Sequence, residues 1–309
     1  MNMFYDELLF RTDKRPWIGE LPQTSTKDFN FAIMGDRSGF AIEGVFEEAL
    51  RQVKRLNPDF VVAVGDLIEG YWQQAEGAHR EWDELERHIH SSGLPFFPVA
   101  GNHDYGNEVM KKVWQERKGI DYYAFRYGNV LFLALHTEEP QHALSPELEL
   151  AFRETELRSK REPEQAEEVI RELLESIAEQ TKDVKNKHVP SPCIGEEQFA
   201  FIEKTLHDHP DVDMTFVITH QPVWKTDSVV YARLLQALSA RPFTMLAGHF
   251  HKLEFTRVAG HAHIQMGRTG ANKHKAGLDD FHHILWVAMK DGLPTFTAIK
   301  LEGMLALDA

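Results

Sequence analysis

The chain has 309 residues, 42% of them hydrophobic, enough to bury the core of one or two domains. Asp and Glu outnumber Lys and Arg by 48 to 34, a formal net charge of −14. A field of that sign disfavours long nucleic acids and anionic membranes, and it repels phosphorylated ligands unless bound cations reverse it locally.

Residues 1–27 read as an irregular lead-in punctuated by Pro16 and Pro22. Asp6, Glu7, Arg11, Asp13, Lys14 and Arg15 interrupt its apolar stretches, so it lacks the pattern of a signal peptide. No apolar run in the chain approaches the ~18 residues of a membrane span. The single cysteine, Cys193, excludes an intramolecular disulfide framework and fits a reducing compartment. The expectation is a cytoplasmic protein with no membrane association.

Residues 29–35 (FNFAIMG) read as a strand, and 41–56 as a helix with Val45, Ala49, Val53 and Leu56 on one side. A second apolar strand covers 60–65 (FVVAVG), a helix 75–91, and a third strand 95–100 (PFFPVA). Near-continuous apolar strands alternating with helices indicate an α/β fold with its sheet covered on both faces. Segments 122–127 and 130–136 flank Gly128-Asn129 and predict a hairpin. Residues 138–190 then depart from the pattern. They are rich in Glu, Arg and Lys, with Val169, Ile170, Leu173, Leu174 and Ile177 at helical spacing, and read as a helical insertion, a pair of helices broken near Pro163. Its roles stay open between a solvated appendage with one packed stripe, a cap over the site and a homo-oligomer or partner contact. Helix 196–207, strand 214–219, helix 228–238 and strand 243–247 resume the alternation, and 254–258, 263–266, 283–287 and 295–299 are further strands. With no internal repeat, the simplest organisation is one elaborated domain over 1–309.

Five of the apolar strands end in a polar residue able to hold a metal. They give Gly35-Asp36-Arg37-Ser38, Gly65-Asp66, Gly101-Asn102-His103-Asp104, Thr219-His220-Gln221-Pro222 and Gly248-His249-Phe250-His251. Carboxyl ends of strands are where sites assemble in α/β sheets. Carboxylate, amide oxygen and imidazole without thiolate suit Mn or Fe, and also Zn, Ni or Co. Any one of these residues alone reads as a turn residue or helix cap; the six taken together read as a site.

The order D-x, GD, GNHD, H, GHxH resembles the calcineurin-like metallophosphoesterase superfamily. The likeness covers residues 30–265 and treats the helical segment as an insertion. It implies a layered α-β-β-α sandwich of mixed sheets, with two divalent or trivalent metal ions at the carboxyl ends of strands. By that resemblance Asp66 bridges the two metals, Asp36 and His251 serve the first, and Asn102, His220 and His249 serve the second. His103 would contact the phosphate and protonate the leaving group, oriented by Asp104, while a hydroxide between the metals attacks phosphorus. Ser38 stands where the family usually has a histidine, which leaves the first metal short of one ligand.

Arg37 reads as a phosphate fork or a surface salt bridge, and Ser38, Trp224 and Arg268 as substrate contacts, or in the case of Trp224 as a packed ring. His136 ends a strand and could approach the site. His79, His88 and His90 read as surface residues, and His282 and His283 as structural ones. The motifs do not separate monoesters from diesters, and the charge favours a small phosphoester or a phosphoprotein over nucleic acid. The rival readings are a non-catalytic scaffold, as in a retromer subunit lacking the catalytic histidine, and a signalling module whose insertion binds a partner. Retention of His103 and Asp104 favours the enzyme.

Overall fold

A computed structural model describes residues 3–23, 27–138, 145–181, 192–225, 229–239, 241–272 and 281–301. Its core is two mixed sheets packed face to face. The first has β2 (Phe29–Met34), β3 (Phe60–Ala63) and β4 (Phe96–Pro98) parallel to one another, extended past β2 by antiparallel β11 (His283–Lys290) and β12 (Leu293–Lys300). The second runs in the order β1 (Met3–Phe4), β5 (Tyr123–Tyr127), β6 (Val130–Ala134), β7 (Met214–Ile218), β8 (Phe243–Ala247), β10 (His261–Gln265), β9 (Glu254–Val258). Within it β6, β7, β8 and β10 are parallel.

The period of two in a strand explains why β2 and β3 read as unbroken apolar runs. Phe31, Ile33, Phe60 and Val62 enter the core between the sheets. Their neighbours Ala32, Met34, Val61 and Ala63 face α1 (Val45–Leu56), α2 (Ala75–Ser92) and α4 (Glu108–Arg117). The outer face of the second sheet packs on α7 (Glu196–Asp208) and α8 (Val229–Leu238). The result is the expected α-β-β-α sandwich. Aromatic rings fill its centre: Phe60 meets six others at centroid distances of 5.1 to 6.2 Å.

Three elements differ from the sequence expectation. Helix α1 begins at Val45 rather than 41, because Gly39, Phe40 and Gly44 are left-handed (φ 98°, 58° and 82°). The N–H groups of Gly39, Phe40 and Ala41 are taken instead by the Glu69 carboxylate, at 3.2, 3.1 and 2.6 Å. The lead-in is not wholly irregular: β1 pairs antiparallel with β5, and Trp17 is buried. A two-residue strand carries no readable periodicity. Helix α4 was not anticipated, its apolar positions being sparse; Asn107 caps it by accepting the Met110 N–H at 2.9 Å.

The insertion holds the expected helical pair, α5 (Pro146–Arg161) and α6 (Ala166–Thr181), separated by a 3₁₀ turn at Pro163–Gln165. Ser145 caps α5 with Pro146 at its first position. Val169, Ile170 and Leu173 are buried, as the helical spacing required. The Ile177 side chain, the insertion's segments 139–144 and 182–190, Ser228, and residues 273–275 lie outside the described residues.

Candidate metal centre

The chain ends of β2, β3 and β4 carry Asp36, Asp66 and Asn102, and those of β7 and β8 carry His220, His249 and His251, so one rim of the sandwich collects all six. Asp36, Asp66 and His220 each present a donor atom within 4.8 Å of the others, and all three are buried. Nε2 of His220 lies 3.3 Å from Asp66 Oδ2, and Nε2 of His251 lies 3.4 Å from Asp36 Oδ2. Asn102 Oδ1 is 2.9 Å from both His220 Nε2 and His249 Nδ1, which are themselves 3.3 Å apart.

These residues fit metal ions. Nδ1 of His220 is fixed on the Val64 carbonyl (2.8 Å) and Nδ1 of His251 on the Asn272 carbonyl (2.8 Å). A ring nitrogen that donates to a carbonyl leaves the opposite nitrogen with its lone pair, the tautomer a metal needs. Asn102 donates from Nδ2 to the Tyr71 hydroxyl at 2.8 Å, which turns Oδ1 towards the histidines. Among the described residues, no hydrogen-bond partner meets the buried carboxylate oxygens of Asp36 or the hydroxyl of Ser38. Buried polar atoms in folded proteins are almost always paired, and a cation satisfies an orphaned carboxylate best.

Electrostatics agree. Burial, reinforced by Asp66 and Asp104, pushes the Asp36 carboxyl well above its ordinary range against the pull of His220. Burial would raise Asp66 too, but His220 and His103 beside it hold it well below the usual carboxylate range. Burial would depress His220, yet Asp66, Asp36 and Glu138 raise it well above the ordinary imidazole value. The buried carboxylates thus favour a positive charge among them.

Left-handed backbone is concentrated here. Asp66, His249 and His251 adopt φ of 53°, 75° and 54°, and Tyr71 51°. Such conformations cost on the order of 1–3 kcal/mol each outside glycine and cluster where function over-determines the backbone. Gly101 is required by approach rather than by φ: a Cβ there would lie 2.2 Å from Asp66 Oδ1.

His103 and Asp104 sit in the single turn α3 (Asn102–Tyr105). The His103 N–H donates to Asp66 Oδ1 at 2.9 Å, its Nδ1 bonds the Glu69 carbonyl at 2.8 Å, and its Nε2 is 4.0 Å from Asp66 Oδ2. Asp104 does not touch the His103 ring through any of its described hydrogen bonds. Its carboxylate accepts the N–H groups of Leu67, Ile68 and Gly101 at 2.9, 3.1 and 2.9 Å, tying the Asp66 loop to the Asn102 turn. Burial and Asp66 raise it to about 7.

The substrate candidates fare differently. Arg37 is held by the Leu67 carbonyl (3.1 Å) and Glu47 (3.8 Å). Arg268 is buried, with Nη1 3.1 Å from the Ala271 carbonyl and 3.2 Å from His282 Nε2. It works as an internal strut. Trp224 is half-buried against His263 at 5.3 Å. His136 stays out of the cluster and packs edge-on against Tyr105 at 4.3 Å. Residues that sequence reasoning passed over are Glu69, Tyr71 and Glu138. The last is buried and accepts from Gln221 and Thr137, each at 2.8 Å. Their signal was position: Glu69 and Tyr71 follow Asp66 within five residues, and Glu138 follows a strand end.

A four-layer sandwich with carboxylates from one sheet and imidazoles from the other on a shared rim is the architecture of a metallophosphoesterase fold. The calcineurin-like phosphoesterase family model matches residues 30–253, and the chain belongs to that family. Its relatives include the mouse serine/threonine-protein phosphatase CPPED1, 30% identical over 152 residues, 42% of this chain and 47% of the relative. The human CPPED1 is 35% identical over 103 residues, 30% of this chain and 31% of the relative. The chain thus spans less than half the length of these curated relatives. Among solved structures, a dimetal phosphatase from Danio rerio superposes with a TM-score of 0.58 at 14% identity, covering 88% of this chain and 96% of that one. GAP50, the anchor in the inner membrane complex of Plasmodium, gives 0.51 at 14% identity over 88% and 84%. At that identity the two structures show the shared fold.

Proposed function

We propose that the protein hydrolyses phosphate esters with two metal ions, Asp66 bridging them, Asp36 and His251 holding one, and Asn102, His220 and His249 the other. The observation that carries this reading is the orphaned Asp36 carboxylate, buried among imidazoles whose far nitrogens are anchored on carbonyls. Two bound ions would supply an activated water and neutralise charge on the transferred phosphoryl group. The chain's own residues supply the rest. His103, its Nδ1–H fixed on the Glu69 carbonyl, turns Nε2 towards the cluster beside Asp66; as an imidazolium, protonated on both ring nitrogens, it gives the Nε2 proton to the departing oxygen. Asn102 is oriented by Tyr71, and Asp104 locks the two loops together.

The donor set favours Mn or Fe. With three protein ligands and the Ser38 hydroxyl, the first site binds its ion more weakly than the second. The relatives are named serine/threonine-protein phosphatases. A phosphoprotein or small phosphoester is the substrate class in keeping with them and with the acidic charge of the chain. A cytoplasmic setting fits the lone cysteine, and no described helix is long and apolar enough to cross a membrane. The test is metal analysis of purified protein combined with hydrolysis of p-nitrophenyl phosphate and its bis-ester in Mn²⁺, Fe²⁺, Zn²⁺, Ni²⁺ and Mg²⁺. Hydrolysis with at least one ion, at a stoichiometry approaching two, is expected. No hydrolysis with any ion would leave the non-catalytic scaffold reading standing.

A further inference from the structure

The helical insertion is seated on the loops that hold His103. From α5, Phe152 stacks on Phe40 (5.4 Å, 8° between planes), lies 5.5 Å from Tyr71 and meets the His103 ring edge-on at 6.4 Å. Tyr71 itself is 4.7 Å from the His103 ring. Phe40 and Tyr71 are both left-handed (φ 58° and 51°), and neither conformation is sustained without packing around it.

The next residue engages the same loop by polar contacts. The Arg153 guanidinium lies 3.7 Å over the Trp72 ring, 3.1 Å from Glu81 and 3.5 Å from the Gly70 carbonyl. Glu81 in turn accepts the Gly70 N–H at 3.1 Å, so both the N–H and the carbonyl of Gly70 are held. Gly70 is in contact with His103: a Cβ at its φ of +64° would fall 1.8 Å from the His103 carbonyl oxygen. One residue earlier, Glu69 receives the His103 Nδ1–H and caps the loop at 39–41. Further along, Gln73 hydrogen-bonds Glu149 of α5. Every link from the insertion to His103 is a packed or hydrogen-bonded contact.

We infer that Phe152 and Arg153 are positioning residues for the leaving-group step, the insertion acting as a buttress that fixes the His103 imidazole on Glu69 with Nε2 facing the departing oxygen. This rests on the phosphoester-hydrolase reading above. It gives the insertion a catalytic purpose in place of a solvated appendage.

The consequence is selective. A good leaving group such as p-nitrophenolate departs without a proton, whereas an alkoxide needs one, so only the alkyl ester depends on an aligned acid. Phe152→Ala is expected to lower kcat on an alkyl phosphate by ~10²-fold, within the range of general-acid contributions, and on p-nitrophenyl phosphate by less than about 3-fold. KM should hold for both esters, and Phe152→Tyr should restore the ring and the rate. Arg153→Met is expected to show the same selectivity and serves if Phe152→Ala fails to fold, as judged by its thermal melt. In a His103→Ala background, Phe152→Ala should cost nothing further, because the two act through one group. Equal losses on both esters, additivity with His103→Ala, or no change on the alkyl ester would each overturn the inference. A wild-type protein that hydrolyses neither ester would instead sink the reading on which it rests.

Discussion

Replacing Asp66 by Asn tests the centre most directly, because Asp66 is assigned to both ions. The substitution keeps the shape and leaves an oxygen able to accept the His103 N–H that Asp66 Oδ1 now receives at 2.9 Å. It removes the charge and the second carboxylate oxygen, 3.3 Å from His220. The first site is left with Asp36, His251 and the Ser38 hydroxyl. The second keeps Asn102, His220 and His249, all neutral. Outer-sphere changes around metal ligands typically cost 10–100-fold in affinity, so losing the shared anionic ligand should cost about 100-fold or more.

The magnitude follows from mass action. At a metal concentration ~1,000 times the wild-type Kd, binding stabilises the fold by about 4.1 kcal/mol. A 100-fold weaker Kd reduces that to about 1.4 kcal/mol. At ~2–4 °C per kcal/mol, the metal-dependent rise in melting temperature should fall from ~10 °C to ~4 °C. The assay is differential scanning fluorimetry of each protein in chelator and in Mn²⁺, with metal content measured on the same samples. In chelator the variant should melt close to the wild type, since losing the ion pair with His220 is offset by relieving repulsion with the buried Asp36. A variant that kept the wild-type metal-dependent shift and stoichiometry would refute the bridging assignment.

Two further outcomes concern the body of the fold. Phe60→Ala, which opens a void among six rings between the sheets, should lower stability by roughly 3–5 kcal/mol in urea denaturation, against much less for Phe60→Leu; equal, small effects would show that the sheets close over the gap. Burial pulls the His136 and His283 imidazoles from 6.5 down to about 3 and about 4. The unfolded chain therefore binds more protons below pH ~6.5, and stability held above that pH is lost as pH falls towards 4, by about 1.4 kcal/mol per unit for each group. Urea melts in chelator at pH 7 and pH 5 should show a smaller loss for His136→Phe, and an unchanged loss would remove His136 from the account.

The gathering of the six candidate ligands was legible because they obey a local rule: each follows an apolar strand, and each strand is short enough to read from composition. The sandwich was less so. Phe31 and Ala32 look alike in an apolar run, and nothing in the run says that one meets a second sheet and the other a helix. What escaped entirely was set by tertiary contact. Glu69 caps a loop thirty residues earlier in the chain, Phe152 reaches Phe40 from more than a hundred residues away, and Arg268 is drawn inward by His282. The spacing of Val169, Ile170 and Leu173 announced a packed stripe on the insertion but not its seat, because an amphipathic pattern specifies a face and not a partner.

The division of donors between the sheets has a mechanical meaning. The oxygens of Asp36, Asp66 and Asn102 come from the five-stranded layer, and the nitrogens of His220, His249 and His251 from the seven-stranded one. On the proposed assignment, an ion taking donors from both layers would be a clasp across the seam, at the end of the sandwich opposite the short turns that enter its parallel strands. The rim is therefore where the two layers should begin to part when metal is removed by a chelator. Hydrogen exchange at the ends of β3 and β7 would quicken there before the aromatic centre around Phe60 loosens.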